Sequence, residues 1–436
     1  MPWFAQTASR ITPDEIKALL DRTVEEARSR LGITALRRVL LLPPDTTRAH
    51  CGAGWMAEYL YNTLSAQGAE VHIIPALGQH VALGEAEKKW MFGSVPIERI
   101  HDHDWKNGVT SLGVVPADFV REVTGGVADW EIPIDLNTMV VGQPWDLIVT
   151  IGQVVPHEVL GFANHNKNYF VGLGSDRSLG ASHFAAAVCG IENTLGCLVT
   201  PVRKCFNYAE DAFLSGLPDV YVQLVLADDG AGNLVHTGVF VGDDFDTYLQ
   251  AAKLSREQNI TTLDEPLDKV VAFMRPDEYH ATWVANKAVY RTRMAMADGG
   301  ELVVIAPGVE RFGEHQDTDA LIRKYGYLSS AEALALYREN ADMQANPSGV
   351  AHLMHGAPEG RFRVTYAPGK LTREEIESVG YDYLDVDEAL TRYDPAKLVD
   401  GFNTLPDGER VFFISNPSSG LWSTRERLYN RPADGA

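Results

Sequence analysis

The segment from His157 to His183 concentrates residues able to do chemistry. His157-Glu158-Val159-Leu160-Gly161-Phe162-Ala163-Asn164-His165-Asn166-Lys167 is followed by Gly172-Leu173-Gly174-Ser175 and then by Ser182-His183. Lys167 lies ten residues after His157, and His183 sixteen after Lys167. An imidazole can move a proton at neutral pH, a lysine amine can act as a nucleophile, and a second imidazole can ligate a borderline metal. The intervening glycines let the backbone come close to a bulky ligand.

Other candidates are scattered along the chain. In Asp45-Thr46-Thr47-Arg48 the guanidinium could fork onto a substrate carboxylate, with Asp45 fixing its orientation; the alternative is a turn in which Asp45 caps a helix. His80, after Leu77-Gly78-Gln79, is either an acid/base or a structural histidine. His101-Asp102-His103-Asp104 looks metal-binding, yet neighbours on an extended chain point to opposite faces, so it reads as a solvated surface loop. Gly172, Gly174 and Ser175 precede a helix predicted over 177–187. They could present backbone N–H groups to a phosphate or simply form a turn. Trp283 and Lys287 are four apart on a helix predicted over 282–297 and so share a face. Lys287 suits a carboxylate or phosphate, or the surface. His315, His352 and His355 read as structural or solvent-exposed.

These residues need a scaffold. Thr12-Pro13-Asp14-Glu15 combines a capping residue, a proline at the first helical position and a capping-box glutamate, and opens a helix to Leu31. The apolar run 38–42 predicts a buried parallel strand, and 70–75 and 146–152 are further strand candidates. The first two are separated by a helix over 54–66. Strand, polar loop and helix in repetition define an α/β fold with mostly parallel sheets. Ligands in such folds gather at the carboxyl ends of strands, where Asp45/Arg48, His80 and His157 all fall. The runs 220–226 and 235–241 predict a β-hairpin. A second α/β unit starts with a strand over 269–274, continues through a strand over 302–306 and helices between 317 and 356, and has a late strand over 411–415. The predicted division is an N-terminal domain over 1–265, completed by 416–436, and a C-terminal domain over 266–415. A ligand cleft is expected between them. The last residues, 431–436, read as a frayed tail.

Composition sets outer bounds. The chain has 436 residues, enough for two or three domains. Its 59 acidic and 38 basic residues give a formal charge of −21, which argues against a nucleic-acid binder. Four cysteines without CxxC spacing argue against a disulfide framework or structural zinc site. With no signal-like start and no long apolar run, a cytoplasmic protein outside any membrane is expected.

The order and spacing of these motifs, over residues 38–415, resemble the lactate racemase family of nickel-pincer enzymes. The shared features are Asp45–Arg48, Gly78–His80, His157…Lys167…His183, and the helix of Lys287 before Gly299-Gly300. The resemblance implies a nickel-pincer nucleotide, derived from nicotinic acid mononucleotide, joined to Lys167 and ligated through nickel by His183. It implies an N-terminal domain that binds this cofactor and performs catalysis. His80 and His157 would be the two acid/bases, and Arg48 and Lys287, supported by Asp45, would hold the substrate carboxylate. The implied reaction inverts C2 of a 2-hydroxy acid by hydride transfer through a 2-keto acid, which avoids a poorly stabilised carbanion. The implied partners are the substrate and the cofactor-synthesis enzymes.

Two departures stand out. The family commonly has Ser-Gly-Gly ahead of the lysine, where this chain has Ala163-Asn164-His165-Asn166. Trp283 stands where lactate racemase has a tyrosine. A larger or more polar 2-hydroxy acid than lactate, such as an aldonic acid, is therefore expected as substrate. The competing readings are a hydrolase or lyase using an ordinary His-bound divalent metal, and a non-catalytic binding protein for a small carboxylic acid.

Overall fold

The computed structural model describes residues 1–417 and 420–431. The tail expected from residue 431 onward therefore lies outside the described residues except for Arg431. The chain forms two compact units. The first is Met1–Ser182 with Leu198–Asn259, and the second is His183–Cys197 with Ile260–Ala436.

The first unit is built on a six-stranded sheet. Its strands in chain order are β1 (Phe4–Thr7), β2 (Arg38–Leu42), β3 (Glu70–Ile73), β4 (Leu147–Gln153), β5 (Asp219–Asp228) and β6 (Leu234–Gly242). Across the sheet they run β1-β6-β5-β4-β2-β3. The β3-β2-β4-β5 portion is parallel, whereas β6 runs antiparallel to both of its neighbours, β5 and β1. Val39, Leu40, Leu41 and Leu42 are fully buried, as expected of an inner parallel strand covered on both faces.

The helix Pro13–Leu31 starts at the predicted capping box, in which the Thr12 side chain accepts from the Glu15 N–H and Glu15 reaches back to the Thr12 N–H. Its buried face of Ile16, Leu20, Val24 and Ala27 joins Val39, Leu41, Met56 and Val71 in one core. The hairpin predicted from 220 to 241 is β5–β6. Two small antiparallel pairs complete the unit: Val109–Val115 with Ile132–Asn137, and Pro156–His157 with Gly161–Phe162.

The second unit holds another six-stranded sheet: β7 (Leu267–Phe273), β8 (Met296–Ala306), β9 (Arg363–Pro368), β10 (Asp382–Tyr383), β11 (Gly401–Thr404) and β12 (Arg410–Ile414). The order is β10-β9-β8-β7-β12-β11, parallel except for β11. The α/β class with mostly parallel sheets thus holds in both units.

Three details differ from the sequence reading. The helix predicted over 282–297 is two short helices, Thr282–Ala285 and Lys287–Thr292, separated at Asn286 (φ −67°, ψ 0°), and β8 already begins at Met296. The described part of 416–436, residues 416–417 and 420–431, groups with the second unit, not the first. There Trp422–Thr424 pairs in parallel with Thr261–Leu263, and Arg431 donates to the Leu195 carbonyl. The division near 265 also misses 183–197, which joins the second unit through Phe184 packed on Tyr337 and Glu192 ion-paired with Arg293.

Candidate functional site

In the first unit the carboxyl ends of neighbouring parallel strands bring separate motifs together. The parallel contact of β2 with β3 extends to Pro44 and Ala76, so Asp45 and the Gly78-Gln79-His80 turn emerge side by side. Gly78 takes a left-handed φ of 62°, which lets the chain reverse and carry His80 back over the sheet end. His80 Nδ1 lies 2.5 Å from Asp45 Oδ2. The other Asp45 oxygen accepts from the Thr47 hydroxyl at 2.5 Å. Asp45 therefore orients His80, and its side chain does not cap the following turn. Burial pushes its carboxyl upward, but the hydrogen bonds from His80 and Thr47 and the nearby Lys167 ammonium outweigh that and hold it below the ordinary carboxylate value. An anionic partner keeps the imidazole proton on Nδ1, leaving the Nε2 lone pair for other chemistry.

His157 is buried in its short hairpin, opposite Gly161. Its Nδ1 accepts from the backbone N–H of Val159 at 3.2 Å and of Leu160 at 3.5 Å. The neutral ring consequently carries its proton on Nε2. The two histidines thus present opposite faces of imidazole chemistry, an Nε2 acceptor at His80 and an Nε2–H donor at His157.

Lys167 opens the short helix Lys167–Phe170 and is half-buried. Its ammonium pKa is lowered from 10.5 to about 8, first by desolvation and then by the Arg48 charge, with Glu158 and Asp45 opposing and Arg203 adding to the effect. Arg48, Asp45 and Glu158 thus act on Lys167 from other segments of the chain. A free amine is the nucleophilic form of lysine.

The Ala163-Asn164-His165-Asn166 departure has a simple backbone explanation. Asn164 (φ 67°) and His165 (φ 59°) both occupy the left-handed region, which glycine enters freely and which Asn and His tolerate better than most residues. The turn that a Gly-Gly pair allows is retained here with side chains added. Asn164 donates to the Gly152 carbonyl at 2.9 Å and to Gln223 Oε1 at 2.6 Å, and accepts from Asn168. His165 stacks on Tyr221 at 4.1 Å. Fully buried Arg203 donates to the Phe162 and Asn164 carbonyls and to Asn166 Oδ1, and its guanidinium lies 4.2 Å over the Tyr248 ring. Sequence reasoning passed over Arg203. Its signal is helical periodicity, since it shares the buried face of Pro201–Phe213 with Val202, Cys205, Phe206 and Ala209.

The glycine-rich segment is a packed turn. A Cβ on Gly172 would meet the Asn168 carbonyl at 2.5 Å, and one on Gly174 the Phe170 carbonyl at 2.3 Å. The Ser175 hydroxyl donates to Asp135 at 2.7 Å and accepts from the Ser178 N–H at 3.2 Å, so it caps the helix Asp176–Val188. The stretch 101–104 is also structural, though not wholly solvated as expected. Buried His103 bridges Asn137 Nδ2 and the Gly174 carbonyl, and Asp102 pairs with Lys88. Among the described residues no group of three or more His, Cys, Asp or Glu side chains is arranged to hold a metal ion, and no helix is long and apolar enough to cross a membrane.

In the second unit, His183 lies on the Asp176–Val188 helix, past the point at which the units divide. Trp283 stacks on His352 at 4.2 Å, and Lys287 Nζ lies 5.9 Å from the Tyr279 ring centre. His352 and His355 are buried on the helix Pro347–Gly356, so neither is solvent-exposed.

Residues 6–194 match the family model of the lactate racemase N-terminal domain. The whole fold superposes on the crystal structure of a Thermotoga maritima protein, with a TM-score of 0.76 and 23% identity over 96% of this chain and 100% of that one. It also superposes on the lactate racemase apoprotein of Thermoanaerobacterium thermosaccharolyticum, with a TM-score of 0.68 and 16% identity over 93% of this chain and 92% of that one. No curated protein sequence matches the chain significantly. The lactate racemase-like fold therefore extends through both units, and the sequence likeness is carried by the segment that holds Asp45, His80, His157, Lys167 and His183.

Proposed function

We propose that the protein is an isomerase, a racemase or epimerase of 2-hydroxy acids that works with a nickel-pincer nucleotide. The observation that carries this reading is the convergence on Asp45 of the His80 imidazole and the low-pKa amine of Lys167. The residues fit the group. Lys167 would hold it covalently through an amine that is free far more often than an ordinary lysine, and His183 would ligate its nickel. When bound, the group supplies an acceptor for the hydride from C2.

The chain's own residues do the rest. Arg48 and Lys287 would grip the substrate carboxylate with charged donors. Asp45 holds the His80 proton on Nδ1, so Nε2 accepts the substrate hydroxyl proton. His157 returns a proton to oxygen on the other side from its imidazolium form, in which Nδ1 also carries a proton and has released its long contacts with the Val159 and Leu160 N–H groups. In the opposite direction the roles exchange. Trp283, whose ring stacks on His352, would stand where lactate racemase has a tyrosine, and this altered residue is the ground for proposing a larger or more polar 2-hydroxy acid than lactate, such as an aldonic acid.

The test is the intact mass and nickel content of protein produced together with the cofactor-synthesis enzymes. A nucleotide-sized adduct that maps to Lys167, with about one nickel per chain, is the expected result. Folded protein lacking both overturns the reading. A panel of 2-hydroxy acids, read by chiral chromatography, then identifies the substrate.

A further inference from the structure

The turn that carries His80 and the helix that carries Lys167 are joined by hydrogen bonds. The Gly78 N–H donates to the Gly172 carbonyl at 2.8 Å, and the Gly172 N–H donates in turn to the Lys167 carbonyl at 2.9 Å. The packing there is close, since a Cβ on Gly172 would meet the Ala76 side chain at 2.6 Å. Asp45 enters from the neighbouring strand end and holds the His80 ring, and Arg48 follows it in the turn Thr46–Cys51. Immediately ahead of Lys167, Arg203 fixes the Phe162 and Asn164 carbonyls and Asn166 Oδ1. An amine, an imidazole and a guanidinium are thus anchored in one cluster of the first unit.

The charges of this cluster suit a carbonyl compound that is also an anion. Burial first, and then the Arg48 guanidinium, favour the neutral and nucleophilic form of Lys167. Asp45 would repel an anion, but each of its oxygens already accepts a hydrogen bond, one from His80 and one from Thr47. Glu158 is a further opposing carboxylate. Lys167 is half-buried and not sealed off. A 2-keto acid carries both parts that the cluster addresses: an electrophilic carbon for the amine and, one bond away, a carboxylate for the guanidinium.

We propose that in the chain without a cofactor Lys167 condenses reversibly with a 2-keto acid to form an imine, while Arg48 holds the carboxylate. The Lys167 Nζ lone pair attacks the keto carbon, an N–C bond forms, and the C–O bond then breaks. Both amine hydrogens leave with that oxygen as water, relayed by His80 Nε2, which the Asp45 contact leaves unprotonated in the neutral ring. No oxidant or reductant takes part. The inference rests on the roles given to Arg48 and His80 in the racemase reading, but on neither nickel nor the pincer. Its consequence is that the oxidised partner of the substrate competes with the cofactor for one amine.

The test uses protein made without the cofactor-synthesis enzymes, incubated with pyruvate or acetone and with sodium cyanoborohydride, which fixes an imine as a secondary amine. Peptide mass spectrometry locates the adducts, and exposed Lys397 is the internal reference. The ratio of Lys167 to Lys397 labelling should be at least about tenfold higher with pyruvate than with acetone, which lacks the carboxylate. Arg48→Gln should erase that preference, because its effect on amine basicity cancels between the two ketones; circular dichroism checks the fold. In the parent chain propionate, a carboxylate without a keto group, should suppress pyruvate labelling of Lys167 at least about threefold and leave Lys397 unchanged, which keeps the test independent of the variant. No preference for pyruvate, or a preference that survives Arg48→Gln or saturating propionate, overturns the proposal. Imine trapping in a chain that takes up no nickel would refute the racemase reading alone, and nickel uptake without trapping would refute this inference alone.

Discussion

The sharpest consequence of the site concerns the amine of Lys167. A drop from 10.5 to about 8 changes the ratio of neutral to charged amine at pH 7 from about 1:3,000 to about 1:10, a gain of about 300-fold. The perturbation is pH itself. Protein made without the cofactor-synthesis enzymes is pulsed with cyanate from about pH 6 to about pH 11, and carbamoylation is read residue by residue by peptide mass spectrometry. Partial burial slows the reaction at every pH equally, so the midpoint of the rate profile reports the proton affinity and not the access. Lys167 should titrate near 8, whereas exposed Lys397, held above its ordinary value by Asp394, should titrate above 10.5. Arg48→Gln removes the largest charge contribution after desolvation and should move the Lys167 midpoint upward. A Lys167 midpoint at about 10 or higher would refute the reasoning that burial and Arg48 set up a nucleophile.

Four further outcomes can be checked. Arg203→Ala strands the buried Phe162 and Asn164 carbonyls and should cost about 3 kcal/mol or more in urea unfolding; a loss below about 1 kcal/mol would mean that the clamp is idle. His165→Gly should be more stable than His165→Ala by about 1 kcal/mol, because only glycine relieves the left-handed φ, and equal stabilities would argue against strain at that residue. Burial, and then Glu210 beside it, raise the Asp219 pKa to about 7. A folded value above the unfolded one means that the folded state binds more protons, so this contribution is present below about pH 4 and lost as pH rises through 7, by at most about 4 kcal/mol. Asp219→Asn should flatten the fall of stability from about pH 4 to about pH 7, and a slope like that of the parent would reject the assignment. Finally, if the proposed racemisation is the reaction, Asp45→Asn should lower it about 100-fold or more, because His80 loses the anion that fixes its proton on Nδ1; turnover near that of the parent would remove Asp45 from the scheme.

Much of the scaffold was legible because its signals are local. The Thr12–Glu15 capping box, the buried runs at 38–42, 70–75 and 146–152, and the 220–241 hairpin each announce themselves within a few residues. The strand-end placement of Asp45, His80 and His157 followed from the α/β pattern alone. What escaped was non-local. No feature of 101–104 shows that His103 reaches Asn137 and Gly174, nor does the sequence around Arg203 reveal the carbonyls it serves. Closeness in sequence links Asp45 to Arg48, but gives no sign that its carboxylate meets a histidine 35 residues away. The predicted helix over 282–297 failed at Asn286, where helical propensity on both sides hides a break set by tertiary packing.

The Asn164-His165 turn also bears on how this chain could change over generations. Restoring a Gly-Gly pair would recover a freely accessible backbone, yet it would leave Gln223, Asn168 and Tyr221 facing empty space they now share with side chains. Each of those companions suits the present turn and would be a liability around a bare one. The two positions are therefore tied to their surroundings: glycines there would not be a neutral exchange, and changing this turn means altering several buried residues together.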